Sequence, residues 1–437
     1  MARASTFEPA RPAPNAQLLR GLDRAAVVSV LLIPLLLMHA HGIAEGAVAI
    51  ADVCFLARAA ITREWSWLRP AWMRLGLAWW AWVVLGSLPV PSLGLGEGGT
   101  PSLVQALANL RFLVLIAAME HMALRTETVR RWLYGLICAC AIYISVQSVV
   151  QFAFGRNLYG HAAAWGDILT GPFGKPRAGP PLSRILIPVL MPPVARLLDR
   201  RGLAGKAGAL ALVLAGVAVM VLINQRMPLA LTGLGLLVAG LLLPRLRLLV
   251  LAAGVTVVVL VAGSVAFAPG IHDRLVELTS QQLIHFPSSH YGELYTRAAE
   301  IGRQHPFTGL GGDGFRYGCP NPRYFRPTLD GAVANGGGTV ICASHPHNPY
   351  MEALVNGGIV GFLLFAALAV AWMVPLGRGL WKRPDPLRVG LFAAAFIQLW
   401  PFASTSGFTS MPMGGWFFFL LGWGMAEARW QNRDAVP

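Results

Sequence analysis

The sequence predicts an all-α membrane protein that crosses a bilayer about twelve times. Three observations carry that reading. Of 437 residues, 55% are hydrophobic and only 13% charged, with a mean hydropathy of +0.57, which is more apolar surface than a soluble domain of this length can hide. Apolar runs of bilayer length, roughly 17–22 residues, recur along the chain. The 35 Lys and Arg lie in small clusters between those runs, so the net charge of +15 speaks for membrane loops and against nucleic acid.

The runs lie at about 25–41, 43–61, 71–90, 103–122, 132–154, 184–199, 207–224, 228–244, 248–268, 350–374, 389–405 and 413–428. The second, sixth and eighth are the weakest, being short or interrupted by Asp52, Arg58, Pro192 or Pro193. The basic, Pro- and Ala-rich residues 1–24 precede the first run, and no small-residue cleavage site follows it. That run therefore reads as an anchor rather than a removed signal.

An even count puts both termini on one side, and Lys and Arg say which. Arg3, Arg11, Arg20 and Arg24 precede span one, and Arg63, Arg69 and Arg74 follow span two. Arg125, Arg130 and Arg131 follow span four, and Arg196, Arg200, Arg201 and Lys206 follow span six. Arg245 and Arg247 follow span eight, and Arg378, Lys382, Arg383 and Arg388 follow span ten. By the positive-inside rule these loops and the tail 429–437 are cytoplasmic.

Two long segments then lie outside. One is 155–183; the other, 269–349, is large enough for a small helical subdomain, with "HYGELYTRAAEIGRQH" patterned as an amphipathic helix near the membrane surface. Spans one to nine occupy 25–268 and spans ten to twelve 350–428. Cys54, Cys138 and Cys140 fall within spans and read as small apolar residues. Cys319 and Cys342 share the large outer loop, where an oxidising compartment allows a disulfide or two free thiols.

Chemistry concentrates at the end of that loop. "SHPHNPYMEALVNGGIVG" holds His347-Asn348, then nine residues, Gly358, two residues and Gly361. Upstream stand "RQHPFTGLGGDGF" at 303–315 and "INQRMPLALTG" from Ile223. Together these resemble the O-antigen ligase family, which shares its C-terminal region with O-antigen polymerases and bacterial O-oligosaccharyltransferases. Motif agreement is confined to about 223–243 and 297–365. The family often carries Arg and Trp ahead of its His-Pro stretch; here Tyr295 stands where the Trp is expected, and the arginine's contact is either absent or supplied by Arg297.

The resemblance implies a GT-C-like architecture and a bacterial inner-membrane enzyme with its site on the periplasmic face. It implies an undecaprenyl-pyrophosphate-linked glycan as donor and the lipid A–core as acceptor, with membrane lipids as the remaining partners. Such a donor already carries a good leaving group. What remains is a base for the acceptor hydroxyl and cations for the diphosphate. A histidine with a pKa near ~6.5 can be the base, and the pattern points to His347, with Asn348 as orienter or sugar contact and His345 as a neighbour. A helix cap at the start of span ten is the alternative for the His347-Asn348 pair.

Arg226, in the turn before span eight, matches the family's arginine and is the leading phosphate ligand, against a merely snorkelling role. Arg184, at the outer end of span six, is a second clamp candidate on position and charge; Arg297 and Arg316 in the loop are weaker ones. Gly357, Gly358 and Gly361 are expected to let a neighbouring helix approach. "GLGGDGF" reads as a tight turn placing Asp313 and Phe315 beside the site, not as a P-loop, because no Lys-Ser/Thr follows.

The outer acids Glu97, Asp167, Asp273, Glu277, Glu293, Glu300, Asp313 and Asp330 include no Asp-x-Asp pair. His285, His290, His305, His345 and His347 match no zinc spacing, so metal-independent, cofactor-free, inverting transfer is expected. A transporter or flippase is the rival from another class. It would use the charges inside spans: Glu45, Asp52, Arg58, Arg111 and Glu120.

Overall fold

The computed structural model describes residues 15–325, 342–404, 407–411 and 413–434. Apart from two isolated bridges, the regular structure among these residues is helical. The helices are α1 (Ala16–His39), α2 (His41–Thr62), α3 (Ala71–Gly86), α4 (Gly99–Ala108), α5 (Leu110–Ala118) and α6 (Glu127–Phe154). Next come α7 (Gly179–Asp199), α8 (Leu203–Ile223), α9 (Arg226–Leu242), α10 (Arg247–Phe267), α11 (Pro269–His272) and α12 (Leu278–Ile284). The last are α13 (His290–Gln304), α14 (Gly314–Gly318), α15 (Pro349–Gly377), α16 (Pro386–Leu399) and α17 (Met413–Asp434).

Every apolar run expected to span falls on a helix, the fourth on α4 and α5 together. Seven helices among the described residues are long and apolar enough to cross a membrane, and α9 and α16 are shorter apolar helices. The segment 244–267 shows why the chain suits lipid: only 17% of its most apolar stretch is buried inside the protein. Its outward face, including Leu248, Val255 and Val258, is exposed and wholly apolar.

Four helix starts are capped by side chains. Thr126, Ser289, Asn348 and Asp385 each accept from a backbone N–H two or three residues on. Cysteines 54 and 140 are buried within the bundle, as small apolar residues would be. The in-span charges are mostly paired: Arg111 donates to Glu45 at 3.1 Å, Arg58 to Asp23 at 3.0 Å and Arg429 to Glu120 at 3.2 Å. These pairs bind helices to one another, which removes most of the support for a charge-relay transporter.

The turn between α1 and α2, the α3–α4, α6–α7 and α8–α9 connections, the described residues between α16 and α17, and the stretches 268–325 and 342–348 touch one another at one end of the bundle. Trp165 lies under Arg274, Leu169 donates to Ile223, Ser87 accepts from Gly312, and Asn348 donates to Pro401. The Arg-rich connections lie at the opposite end, where Arg130 meets Glu427 at 3.3 Å and Arg245 meets Asp199.

The large loop builds a small core of its own. The apolar face of α13 (Leu294, Ala298, Ile301) packs with Leu310, Phe315, Tyr324 and Val355. Cys319 and Cys342 close it as a disulfide, with Cα atoms 5.6 Å apart. Phe315, expected beside the site, is instead 1% exposed in this core, because the tight glycine turn folds it inward.

Candidate functional site

The "GLGGDGF" turn and α15 are one unit. Helix α15 breaks at Gly358, where φ is +62° and ψ −159°, and the broken turn leaves backbone groups to satisfy. The loop takes them up: Leu310 N–H donates to the Val355 carbonyl at 2.8 Å, Gly311 to Asn356 at 3.2 Å, and Ile359 N–H to Pro306 at 2.7 Å. Trp82 of α3 donates to Gly357 O at 2.9 Å. Glycine spacing thus serves the close approach of a loop backbone at Gly358, not of a helix. Gly361 faces Trp82 across the α3–α15 contact, as a small residue at a helix interface does.

This unit presents the two histidines. His347 has φ +58°, a left-handed conformation that costs a β-carbon-bearing residue about 1–3 kcal/mol and that clusters at functional sites. Its ring is edge-on to His345 at 4.4 Å and to Tyr291 at 5.4 Å between centroids. His345 is clasped by Ser344, whose hydroxyl is 2.9 Å from Nδ1, and by the 407–410 turn. Burial first, then the neighbouring His347 and Arg316, press its pKa down to about 3. His345 is therefore neutral at any physiological pH. Its buried Nε2 has no hydrogen-bond partner among the described residues.

Asn348 caps α15. Its Oδ1 accepts from Tyr350 and Met351 N–H at 3.0 and 3.1 Å, and Nδ2 donates to Pro401 and Ala403 carbonyls. Tyr295, in place of the expected tryptophan, lies near Asn348. With 5% exposure, Asn348 is the helix cap at the start of this span, the alternative the sequence offered for the His347-Asn348 pair.

The arginines separate into two kinds. Arg184 is 5% exposed and enclosed: it donates to Gln398 of α16, to Pro180 O at 2.9 Å and toward Met413 Sδ. That is a helix-to-helix brace, and it steadies the end of α16 that receives Asn348. Arg297 is 4% exposed, donates to Cys319 O at 3.0 Å and reaches Cys342 Sγ, and stacks on Phe325 at 4.2 Å. Burial lowers its pKa, and its contacts are with the disulfide it braces, not with the groove. Arg316 is half-exposed, pairs with Asp313 at 3.3 Å and faces His345.

Arg226 is different. Asn224, left-handed at φ +61°, reverses the chain so that Arg226 opens α9. No ion pair or hydrogen bond among the described residues occupies its guanidinium. Arg274 lies beside it: Nε donates to Asn224 O at 3.1 Å, and the guanidinium sits 5.0 Å over Trp165. Burial, and then the nearby Arg226, lower the Arg274 pKa, while Tyr291 favours its charge. So Arg226, Arg274 and Tyr291 lie within electrostatic reach of one another, and Tyr291 packs on His347. Neither Tyr291 nor Arg274 was singled out in the sequence, since nothing local marks an aromatic in α13 or a cation after α11.

Arg226 also stands at one end of an apolar groove of about 710 Å³ between α9, α10 and residues 272–279. Leu229, Leu236, Leu237, Val257 and Val261 line it. Along α9 it runs from Arg226 to Leu237, roughly 16 Å at 1.5 Å per residue. A long apolar chain with an anionic head matches that combination.

Residues 210–366 match the model of the O-antigen ligase family. A search of curated proteins finds no match. The matched region runs from α8 to beyond the break in α15, and so contains Arg226, Arg274, Tyr291, His347, Gly358 and Gly361. Arg184 and the 155–178 loop fall outside it.

Proposed function

We propose that this protein is an O-antigen ligase, a metal-independent inverting glycosyltransferase that moves a preassembled glycan from undecaprenyl pyrophosphate to a sugar hydroxyl of the lipid A–core. The observation that carries the reading is the apolar groove closing on Arg226, with Arg274 beside it and Tyr291 leading to His347. The polyprenyl chain lies in the groove and its pyrophosphate meets the two guanidinium groups, which offer planar, permanently charged donors.

His347 takes the proton of the acceptor hydroxyl as that oxygen attacks the anomeric carbon. The bond from that carbon to the pyrophosphate oxygen breaks, the electron pair leaves on the diphosphate, and Arg226 and Arg274 stabilise the developing charge. Attack opposite the leaving group inverts the anomeric configuration. Arg184 acts from a distance as a brace, and Arg316 borders the acceptor side near His345.

The accompanying topology is twelve spans of GT-C type in the bacterial inner membrane, both termini cytoplasmic and the site periplasmic. A helix at each apolar run and the gathering of the Arg-rich turns at the end opposite His347 support it.

The test is the lipopolysaccharide banding of a strain lacking this gene, complemented with wild type or His347→Ala. Bare core with glycan stranded on undecaprenyl pyrophosphate, unrescued by a well-expressed mutant, supports a ligase based on His347. Core capped by one repeat means a polymerase, and lost glycosylation of a protein Ser or Thr means an oligosaccharyltransferase. Full rescue by His347→Ala would sink the catalytic role.

A further inference from the structure

A second polar cavity lies at the same end of the bundle, outside the matched region 210–366. It is a depression of about 450 Å³ between the α1–α2 turn and the 155–178 loop, lined by His39, His41, Tyr159, His161, Lys175 and Arg177 among others. No carboxylate lines it. Lys175 and Arg177 are exposed and take no ion-pair partner among the described residues.

One wall is aromatic. His39 packs against Phe173 at 5.5 Å and Tyr143 at 5.8 Å, with Nε2 3.0 Å from the Tyr143 hydroxyl, which lies 2.7 Å from that of Tyr159. These contacts fix the rings, and the His161 imidazole closes over Gly174. The other wall is cationic and positioned by Gln225: its Nε2 donates to Pro176 O at 2.7 Å and its Oε1 accepts from Gly179 N–H at 3.0 Å. Gln225 is the neighbour of Arg226. The same 155–178 loop carries Trp165, which lies under Arg274.

We infer that this depression is a binding subsite for a phosphorylated saccharide, with the phosphate on Lys175 and Arg177 and the sugar face on the Tyr159–Phe173 wall. Fixed rings offer apolar faces to sugar C–H groups, and a cation pair without carboxylates favours a phosphate monoester over a neutral glycan. The inference rests on the proposed function only for the source of that ligand, a phosphate-bearing acceptor glycan held on the loop that also braces the Arg226–Arg274 pair.

Purified full-length protein in nanodiscs, titrated with glucose 6-phosphate and followed by phosphorus NMR line broadening, tests it. Wild type and His347→Ala should bind alike, and Lys175→Ala/Arg177→Ala should bind roughly tenfold more weakly, having lost two charge-assisted contacts. The two changes are exposed, and an unchanged gel-filtration profile verifies the fold. Equal binding by the double variant overturns the subsite. Inorganic phosphate competing as well as glucose 6-phosphate makes it a plain anion site, and phosphatidylglycerol in the disc abolishing the signal makes it a lipid headgroup site; either overturns the saccharide assignment. If His347→Ala still transfers glycan while binding follows Lys175 and Arg177, the proposed catalytic role fails and the subsite stands.

Discussion

Replacing Gly358 by alanine should be a severely damaging single-methyl change. At φ +62° and ψ −159° the backbone occupies a region used almost only by glycine, so any side chain costs about 1–3 kcal/mol there. A Cβ at this position would also lie 2.5 Å from the Phe307 carbonyl and from Pro306 O, inside any real carbon contact. The loop must retreat, which breaks the 2.7 Å Ile359–Pro306 and 2.8 Å Leu310–Val355 bonds, each worth about 1 kcal/mol net. The sum is a loss of about 3–5 kcal/mol. Gly361 is the control: it is helical, and its Cβ would meet Ala353 O at 3.2 Å and Trp82 at 3.6 Å. There the better helix propensity of alanine, about 1 kcal/mol, offsets a mild contact. Unfolding free energy in mixed micelles, read beside glycan transfer in reconstituted vesicles, separates the two. Near-equal stability of Gly358→Ala and Gly361→Ala, with transfer intact in both, would refute the claim that the loop and the broken helix form one unit.

Three further outcomes follow from the site. Arg226→Lys keeps charge but loses the fork, and should raise the KM for the lipid-linked donor by roughly tenfold, with Arg226→Ala and Arg274→Ala costing more; unchanged KM in all three would free the groove from any role with the donor. His345 is held neutral down to about pH 3, whereas an unfolded histidine protonates near ~6.5, so the native state binds fewer protons in that window. Stability should fall as pH drops from about 6.5 towards 3, and His345→Gln should flatten that fall in thermal scans while leaving the acid limb of the transfer profile in place. Reducing Cys319–Cys342 opens a loop with a sequence separation of 23, which by chain entropy costs roughly 3 kcal/mol. Limited proteolysis should then cut the 269–349 subdomain first, and unchanged protection would assign its order to Arg297 and the small apolar core instead.

What the sequence disclosed follows from the range over which each signal acts. Apolar runs and capping residues are local, so the helices under the twelve apolar runs, α13, and the start of α15 at Asn348 were legible, while α11, α12 and α14 were not. The left-handed His347 and the break at Gly358 were not, because each depends on a partner far along the chain: Trp82 and Pro306 for the break, Tyr291 and the 407–410 turn for the histidines. Position and charge alone made Arg184 and Arg297 look like phosphate ligands. Only packing distinguishes an arginine spent on Gln398 or on a disulfide from Arg226, whose guanidinium stays available.

The same distinction explains how a transferase site can be built at the end of a membrane bundle. Irregular backbone at the ends of spans is tolerated only where its polar groups are satisfied, and here the satisfying groups come from three separate connections. The α8–α9 turn binds the 268–274 segment through Asn224, the 306–312 loop fills the gap in α15, and the α16–α17 connection receives Asn348. The first tie holds Arg274 beside the turn that opens on Arg226, and the last holds the residue next to His347. A change at either should displace the arginine pair relative to His347. Asn224→Ala, which frees the α8–α9 turn without touching a reacting group, should therefore lower transfer through donor affinity while leaving the histidine-dependent pH profile unmoved.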